Sequence, residues 1–209
     1  MRRAMVVGVS GNLGKLLVQK LVNNKLYKYV IVFTRMNERK LKHIHIKKVI
    51  VDFNQIHLHK EEFLACDEVY CLLGSQYTST VSIENSSNLD FEIPIEIAKM
   101  AKSSGVRRFV LINPHVEFNK STVYIQKRLK LENTINQMGF EDFKIFKVNQ
   151  ISVAKNWTTV RKKLNQIQLK IIGLFGRKIE GYLKVPANIL VEDITNWSTQ
   201  QPELLNHNN

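Results

Sequence analysis

Three glycines near the amino terminus have the residue type and the spacing for a defined binding chemistry. Gly8, Gly11 and Gly14 follow an apolar run and precede a segment in which leucine recurs every fourth residue. In a strand–turn–helix unit, one such glycine permits the tight turn, one lets the backbone approach a phosphate, and one allows close helix–sheet packing. The helix amides and the positive end of the helix dipole then face a pyrophosphate. The pattern predicts a dinucleotide site at Gly8, Ser10, Gly11, Asn12, Leu13 and Gly14, with a glycine-rich turn that binds nothing as the alternative.

A positive side chain follows the second predicted strand. Arg35 lies where an acid would bind the ribose hydroxyls of NAD, whereas an arginine accommodates the 2′-phosphate of NADP. No acid occupies this strand end and the local charge is strongly positive, so NADP(H) is favoured, while NAD(H) stays open. A surface arginine without a ligand is the alternative. Asp52 and Phe53 after the third strand, and Gly74 after the fourth, are further predicted cofactor contacts, although Asp52 could equally cap a turn.

Alternating strands and helices must position these residues. Predicted strands end at residue 7 and cover residues 29–33, 49–53, 69–73, 109–112 and 143–146, and predicted helices begin near Asn12 and cover 93–102 and 124–138. Such alternation predicts an α/β fold, a Rossmann-like doubly wound parallel sheet, in which ligands bind at the carboxyl ends of the strands. We expect a single domain over 1–209, with a small cap at 150–184, a closing helix with Pro186 in its first turn and a frayed tail at 198–209. Pro94 is expected to kink its helix.

Composition restricts the classes of function. The 209-residue chain has a net charge of +13, concentrated at 35–48, 127–130 and 161–163. This charge suits phosphorylated cofactors, nucleic acid or an acidic membrane surface, but no nucleic-acid-binding motif accompanies it, and a solvated basic surface is the simpler interpretation. No apolar run approaches the roughly 18 residues of a membrane span. Since a strand is predicted directly at the start, no secretory signal is expected, and a cytoplasmic location follows, with an organelle still open.

The cysteines and histidines predict no metal or disulfide. Cys66 and Cys71 suit reduced thiols in or near a core strand. The alternating pairs His43/His45 and His57/His59 lack the additional ligands that would complete a tetrahedral site at familiar spacing.

Further motifs occur in the order found in a known family. They are Gly8-Val9-Ser10-Gly11-Asn12-Leu13-Gly14, Val51-Asp52-Phe53, Cys71-Leu72-Leu73-Gly74-Ser75, Ser104-Gly105-Val106-Arg107-Arg108-Phe109-Val110-Leu111, Tyr124-Ile125-Gln126-Lys127-Arg128 with Glu132, Phe146, and Val185-Pro186. The chain resembles the Tat-interacting-protein branch of the atypical short-chain dehydrogenases/reductases, within the wider NAD(P)H-binding family, to about residue 196. This resemblance implies a Rossmann domain that binds NADP(H) and a catalytic set of Ser, Tyr and Lys.

The catalytic set departs from the family pattern. The tyrosine position falls on Tyr124, but the lysine position holds Arg128 and the serine position falls on Asn113-Pro114. Arg128 keeps a charge and donors for a ribose, yet an arginine hardly releases a proton. Asn113 can still donate to a substrate carbonyl, whereas Pro114 removes a backbone amide. The family's Arg-Pro-Gly after the sixth strand is replaced by Lys147-Val148-Asn149.

Three functions are consistent with these residues. We favour an NADP(H)-binding protein with degenerate catalytic residues, weak or absent oxidoreductase activity, and a regulatory or scaffold role with a protein partner. The first alternative is an active NADPH-dependent reductase of a small carbonyl compound, with Tyr124 as acid, Arg128 as ribose anchor and Asn113 as carbonyl donor. The second is a basic structural subunit of an assembly containing RNA or membrane. Tyr124 could also be an ordinary residue of an amphipathic helix.

Overall fold

In the part of the chain that the structure describes, six parallel strands form one sheet in the order β3-β2-β1-β4-β5-β6. The computed structural model describes residues 1–39, 41–73, 88–114, 122–148 and 187–199. The strands are β1 (Arg2–Val7), β2 (Tyr27–Thr34), β3 (Ile46–Ile50), β4 (Glu68–Cys71), β5 (Arg108–Pro114) and β6 (Asp142–Val148). The helices are α1 (Asn12–Val22), α2 (Lys60–Leu64), α3 (Ile93–Ser103), α4 (Thr122–Asn136) and α5 (Ala187–Thr199). This strand order confirms the predicted Rossmann-like doubly wound fold.

Two hydrophobic clusters of described residues cover the two faces of the sheet. Because successive strand residues point to opposite faces, Met5 and Val7 of β1 belong to one cluster, whereas Ala4 and Val6 belong to the other. Apolar residues of α3 and α4 complete the first cluster, and those of α1 and α5 complete the second. The predicted leucine stripe of α1 is buried, and it fixes this helix against the sheet directly after the glycine loop. Within the described ranges, no helix is long and apolar enough to cross a membrane.

The third strand differs from its prediction. We expected a strand over 49–53 that is buried on both faces, but β3 covers Ile46–Ile50 and lies at the end of the strand order. Its outward position leaves Ile50 61% exposed. The strand ends early because the Asp52 side chain accepts a hydrogen bond from the Asn54 amide at 3.0 Å, which starts a 3₁₀ helix over Phe53–His59. The run of apolar residues in the sequence extends past the end of β3 because Phe53, which lies in the 3₁₀ helix, also packs in the core.

The prediction that Pro94 lies inside its helix is wrong, whereas the kink stays a prediction. Pro94 lies in the first turn of α3, where a residue without an amide hydrogen is well tolerated. A π-helical turn over Asn88–Glu92 precedes α3. The proline therefore marks a change of helical geometry at the start of α3.

A buried polar cluster joins α5 to the amino-terminal edge of the sheet. Glu68 is fully buried, its Oε1 accepts a hydrogen bond from the Tyr70 hydroxyl at 2.9 Å, and its Oε2 lies 3.0 Å from Arg108 Nη1. Arg108 Nη1 also donates to the Ser198 carbonyl oxygen at 3.1 Å. Burial raises the pKa of Glu68, opposed by a hydrogen bond from Tyr27 and by the charge of Arg108. Ser198 is buried within α5, so the prediction of a frayed tail was wrong for its first two residues, and 200–209 lie outside the described residues.

Removing one hydroxyl should weaken this cluster. Tyr70→Phe takes a donor from the buried Glu68 carboxylate and is expected to lower the free energy of unfolding by about 1.5–3 kcal/mol. Urea denaturation followed by tryptophan fluorescence would measure the change. Tyr29→Phe, at a partly exposed position on the same sheet, is the control and should change stability by less than about 1 kcal/mol. Equal effects of both substitutions would contradict a specific role for the cluster.

Candidate functional site

The glycine loop leaves no room for a side chain at two of its three glycines. Gly8 has a φ of +92°, and a Cβ there would lie 3.0 Å from the carbonyl carbon of Leu72, just after β4. A Cβ on Gly14 would lie 2.7 Å from Val9 Cα and 2.8 Å from the Gly8 carbonyl oxygen. Gly8 thus permits the turn and its close approach to β4, while Gly14 lets α1 pack against the loop. Both predicted roles, the tight turn and close helix packing, match this geometry.

The first turn of α1 has donors suited to an anion. Gly11 is the N-cap residue with extended backbone (φ −83°, ψ 167°) and brings no side chain to cap the helix. The first turn holds no acidic residue. Ser10 and Asn12 are exposed, while Leu13 is buried and anchors the turn in the core. Because the first amides of a helix lack intrahelical partners and carry the positive end of the dipole, this loop fits a phosphate group.

The loop after β2 lies next to the start of α1. Thr34 forms a turn at the strand end, with its Oγ1 accepting from the Met36 amide at 3.3 Å and donating to the Met36 carbonyl oxygen at 2.8 Å. Arg35 is exposed in this turn. An ion pair of 2.9 Å between Lys15 Nζ and Glu38 Oε2 joins α1 to the same loop. Arg35 therefore belongs to a basic loop at the carboxyl edge of the sheet, where cofactors bind in this fold.

The two predicted cofactor contacts after β3 also have structural roles. Asp52 is exposed and caps the 3₁₀ turn, which was the alternative role for this residue. The Phe53 side chain is buried in the core, so its backbone is the part left for the predicted cofactor contact. The predicted contact at Gly74 and the predicted cap at 150–184 lie outside the described residues.

Asn113, Tyr124 and Arg128 meet in one hydrogen-bonded group. Arg128 Nε donates to the Tyr124 hydroxyl oxygen at 3.0 Å, and Arg128 Nη1 donates to Asn113 Oδ1 at 2.8 Å. Arg128 is 1% exposed, Tyr124 3% and Asn113 fully buried. The spacing of four residues places Tyr124 and Arg128 on one face of α4, as predicted, and the end of β5 brings Asn113 to them.

Asp90 also contacts Arg128 and was not among the predicted site residues. Arg128 Nη1 also donates to the Asp90 carbonyl oxygen at 3.2 Å, and Arg128 Nη2 lies 3.7 Å from Asp90 Oδ2. Burial raises the pKa of the Asp90 carboxyl, and the charge of Arg128 opposes that rise. Pro94 was the available signal, since a proline has no amide to donate to the carbonyl four residues earlier. The guanidinium lies over the Phe91 ring, with Cζ 4.8 Å from its centroid.

Glu132 fixes the orientation of the Asn113 amide. Asn113 Nδ2 donates to Glu132 Oε1 at 2.6 Å, and Lys147 Nζ lies 3.3 Å from Glu132 Oε2. Because a carboxylate only accepts and a guanidinium only donates, the amide nitrogen must face Glu132 and the amide oxygen must face Arg128. Both ends of the Asn113 side chain are therefore bonded within the protein. The group can orient the tyrosine hydroxyl, but its arginine cannot release a proton to it.

The two cysteines are not placed for nucleophilic chemistry. Both are buried, and burial raises the pKa of each thiol to about 12. Since the thiolate is the reactive form, they are protonated and unreactive near neutral pH. Among the described residues, no group of three or more His, Cys, Asp or Glu side chains is placed to hold a metal.

Comparisons with sequences point to dinucleotide-binding proteins. The sequence model of a family described as NAD(P)H-binding matches residues 8–121. The rat protein HTATIP2 is 22% identical over 152 residues, which are 70% of this chain and 61% of the rat protein. The mitochondrial protein FMP52-2 of Scheffersomyces stipitis is 39% identical over 69 residues, 32% of this chain and 30% of that protein. The matched region thus spans less than two thirds of either relative, and the HTATIP2 match confirms the predicted resemblance to the Tat-interacting-protein branch.

Comparisons with solved structures show the same fold. A wide-type short-chain dehydrogenase/reductase from Veillonella parvula, solved in complex with NADP, has a TM-score of 0.61 at 11% identity, covering 97% of this chain and 89% of that one. WbmG from Bordetella bronchiseptica, solved in complex with NAD, has a TM-score of 0.60 at 12% identity, covering 96% and 79%. The fold therefore accommodates either dinucleotide.

Proposed function

The chain belongs to the NAD(P)H-binding family, and we propose that it holds NADP(H) at its glycine loop while turning over carbonyl substrates weakly or not at all. Its role is then regulatory: a partner protein distinguishes the cofactor-bound form from the free form. The observation that carries this proposal is the set of contacts of Arg128, which occupies the position of the family's catalytic lysine.

Arg128 is engaged inside the protein. Its guanidinium donates to Tyr124, Asn113 and Asp90, and it is almost completely buried. A lysine at this position would present a mobile ammonium group to a ribose and could take part in proton transfer. A guanidinium that is held by three partners and stays protonated can do neither without breaking this group apart. The arrangement supports a structural role for Arg128 and disfavours its predicted roles as ribose anchor and catalytic residue.

The glycine loop supports cofactor binding independently of the group formed by Asn113, Tyr124 and Arg128. Backbone at Gly8, Ser10, Gly11, Asn12, Leu13 and Gly14 would hold the pyrophosphate at the first turn of α1. Arg35, exposed in the loop after β2, would contact the 2′-phosphate, and this favours NADP(H) over NAD(H). When bound, the cofactor supplies a hydride. Among the described residues, the Tyr124 hydroxyl accepts a hydrogen bond from Arg128, and an arginine cannot return a proton to the tyrosine after it has given up its own.

A turnover assay tests the proposal that activity is degenerate. NADPH oxidation with a panel of small aldehydes and ketones should stay near the rate without protein. Arg128→Lys restores the residue type of the family, and a gain of turnover in this variant would support loss of activity through that substitution. Robust turnover by the unsubstituted protein that Tyr124→Phe abolishes would overturn the proposal and establish an active reductase.

A further inference from the structure

An ion pair lies at the proposed cofactor site. Lys15 follows Gly14 directly, and its Nζ is 2.9 Å from Glu38 Oε2 in the loop after β2. The Lys15 side chain is 26% exposed and the Glu38 side chain 13%. The pair therefore connects the first turn of α1, where the pyrophosphate is proposed to bind, to the loop that carries Arg35.

Glu38 is an isolated acid in a basic segment. Within residues 35–48 it is the single acidic residue, against five basic residues that the structure shows as exposed: Arg35, Arg39, Lys42, Lys47 and Lys48. Its position is fixed by its own loop, because its carbonyl oxygen accepts from the Leu41 amide at 3.1 Å and Leu41 is buried. A carboxylate held there neutralises cations in a region that would otherwise attract an anion.

We propose that Glu38 is an internal counter-anion that competes with the 2′-phosphate of NADP(H) for Lys15. The inference rests on the proposed function, since it concerns the same cofactor site. When NADP(H) binds, the flexible Lys15 ammonium moves from the carboxylate to the phosphate. Glu38 then repels the phosphate at this site. NAD(H) carries an uncharged hydroxyl there, so it is neither attracted by Lys15 nor repelled by Glu38. Glu38 therefore lowers the preference for NADP(H), and Lys15 raises it.

The ratio of the affinities for NADPH and NADH tests this competition, because contributions of the shared pyrophosphate cancel in it. Fluorescence titrations would measure both dissociation constants for the unsubstituted protein, Glu38→Gln and Lys15→Met. Glu38→Gln should tighten NADPH binding about fivefold and leave NADH binding within about twofold, with a smaller effect at high salt. Lys15→Met should weaken NADPH binding more than NADH binding. Glu62→Gln is the matched control, since Glu62 pairs with Lys47 outside this loop and should leave the ratio unchanged.

Other outcomes would overturn the inference. If Glu38→Gln weakens NADH binding, Glu38 contacts the ribose instead of opposing the phosphate. If it changes both affinities equally, or neither, the ion pair has no role in cofactor choice. Binding of both cofactors with an unchanged ratio in the variants would refute this inference alone, whereas no binding of either cofactor to the unsubstituted protein would refute the proposed function as well. Thermal unfolding of each variant would establish that it is folded, as expected for a partly exposed pair.

Discussion

Arg128→Met is expected to lower the free energy of unfolding by about 3–5 kcal/mol, although it replaces a polar side chain with an apolar one of similar length. The substitution removes the guanidinium donor from two buried acceptors, the Tyr124 hydroxyl and Asn113 Oδ1, and from the partly buried Asp90 carbonyl oxygen. It also removes the cation beside the Asp90 carboxylate. Each unsatisfied group contributes its own desolvation penalty. Urea denaturation monitored by circular dichroism would measure the loss.

Two further variants separate charge from geometry. Lys130→Met is the matched control, because Lys130 is exposed on the same helix, and it should change stability by less than about 0.5 kcal/mol. Arg128→Lys keeps the charge but cannot reach all three partners at once, so its loss should be intermediate. A loss below about 1 kcal/mol for Arg128→Met would contradict the structural role assigned to this arginine.

Gly14→Ala should weaken NADPH binding by up to about a hundredfold, with a loss of stability of about 1–3 kcal/mol. The added Cβ would lie 2.7 Å from Val9 Cα and 2.8 Å from the Gly8 carbonyl oxygen, and both are backbone atoms that cannot rotate away. Relief requires α1 to move from the glycine loop, and this displaces the amides that hold the pyrophosphate. Titration of NADPH and thermal unfolding would measure the two effects.

Gly105→Ala is the control for the general effect of replacing a glycine. Gly105 has a φ of +78°, but a Cβ there would meet no atom within 4 Å, so only conformational strain is introduced. This variant should lose about 1 kcal/mol of stability and keep its affinity for NADPH. Equal affinities for NADPH in the two variants would show that the close packing at Gly14 does not serve the cofactor.

The sheet could be predicted because its signals are local. Runs of β-branched residues alternate with helical periodicity, and parallel strands joined in this way have few possible arrangements. The helix ends could also be predicted from local signals. Gly105 and Gly139 were expected near two helix ends, and they have φ values of +78° and +68° just beyond α3 and α4. The third strand was misplaced because Val51 and Phe53 look like strand residues, although they are buried beside a turn that Asp52 caps. An apolar residue can be buried in a strand or beside a turn, so the apolar pattern alone could not distinguish these two structures.

The contacts within the group formed by Asn113, Tyr124 and Arg128 could be predicted only in part. Tyr124 and Arg128 are one helical turn apart, so their meeting followed from spacing. The contacts from Asp90 and Glu132 to Arg128 and Asn113 join distant parts of the chain. Pro94 indicates locally that the Asp90 carbonyl lacks a helical donor, but no local pattern shows that Arg128 is its partner. The same holds for Glu68 and Arg108, which meet because β4 and β5 are neighbours that begin at the same edge of the sheet. Because of these long-range polar contacts, we propose a structural role for Arg128 in place of the predicted role as a ligand of the cofactor.

Titration of the unsubstituted protein with NADPH, followed by nicotinamide fluorescence, tests the central claim most directly. We predict saturable binding of one NADPH per chain, tighter than that of NADH and strongly weakened by Gly14→Ala, with no oxidation of the bound cofactor when a carbonyl compound is added. Absence of saturable binding at millimolar NADPH would contradict the account, because the glycine loop would then be a turn without a ligand.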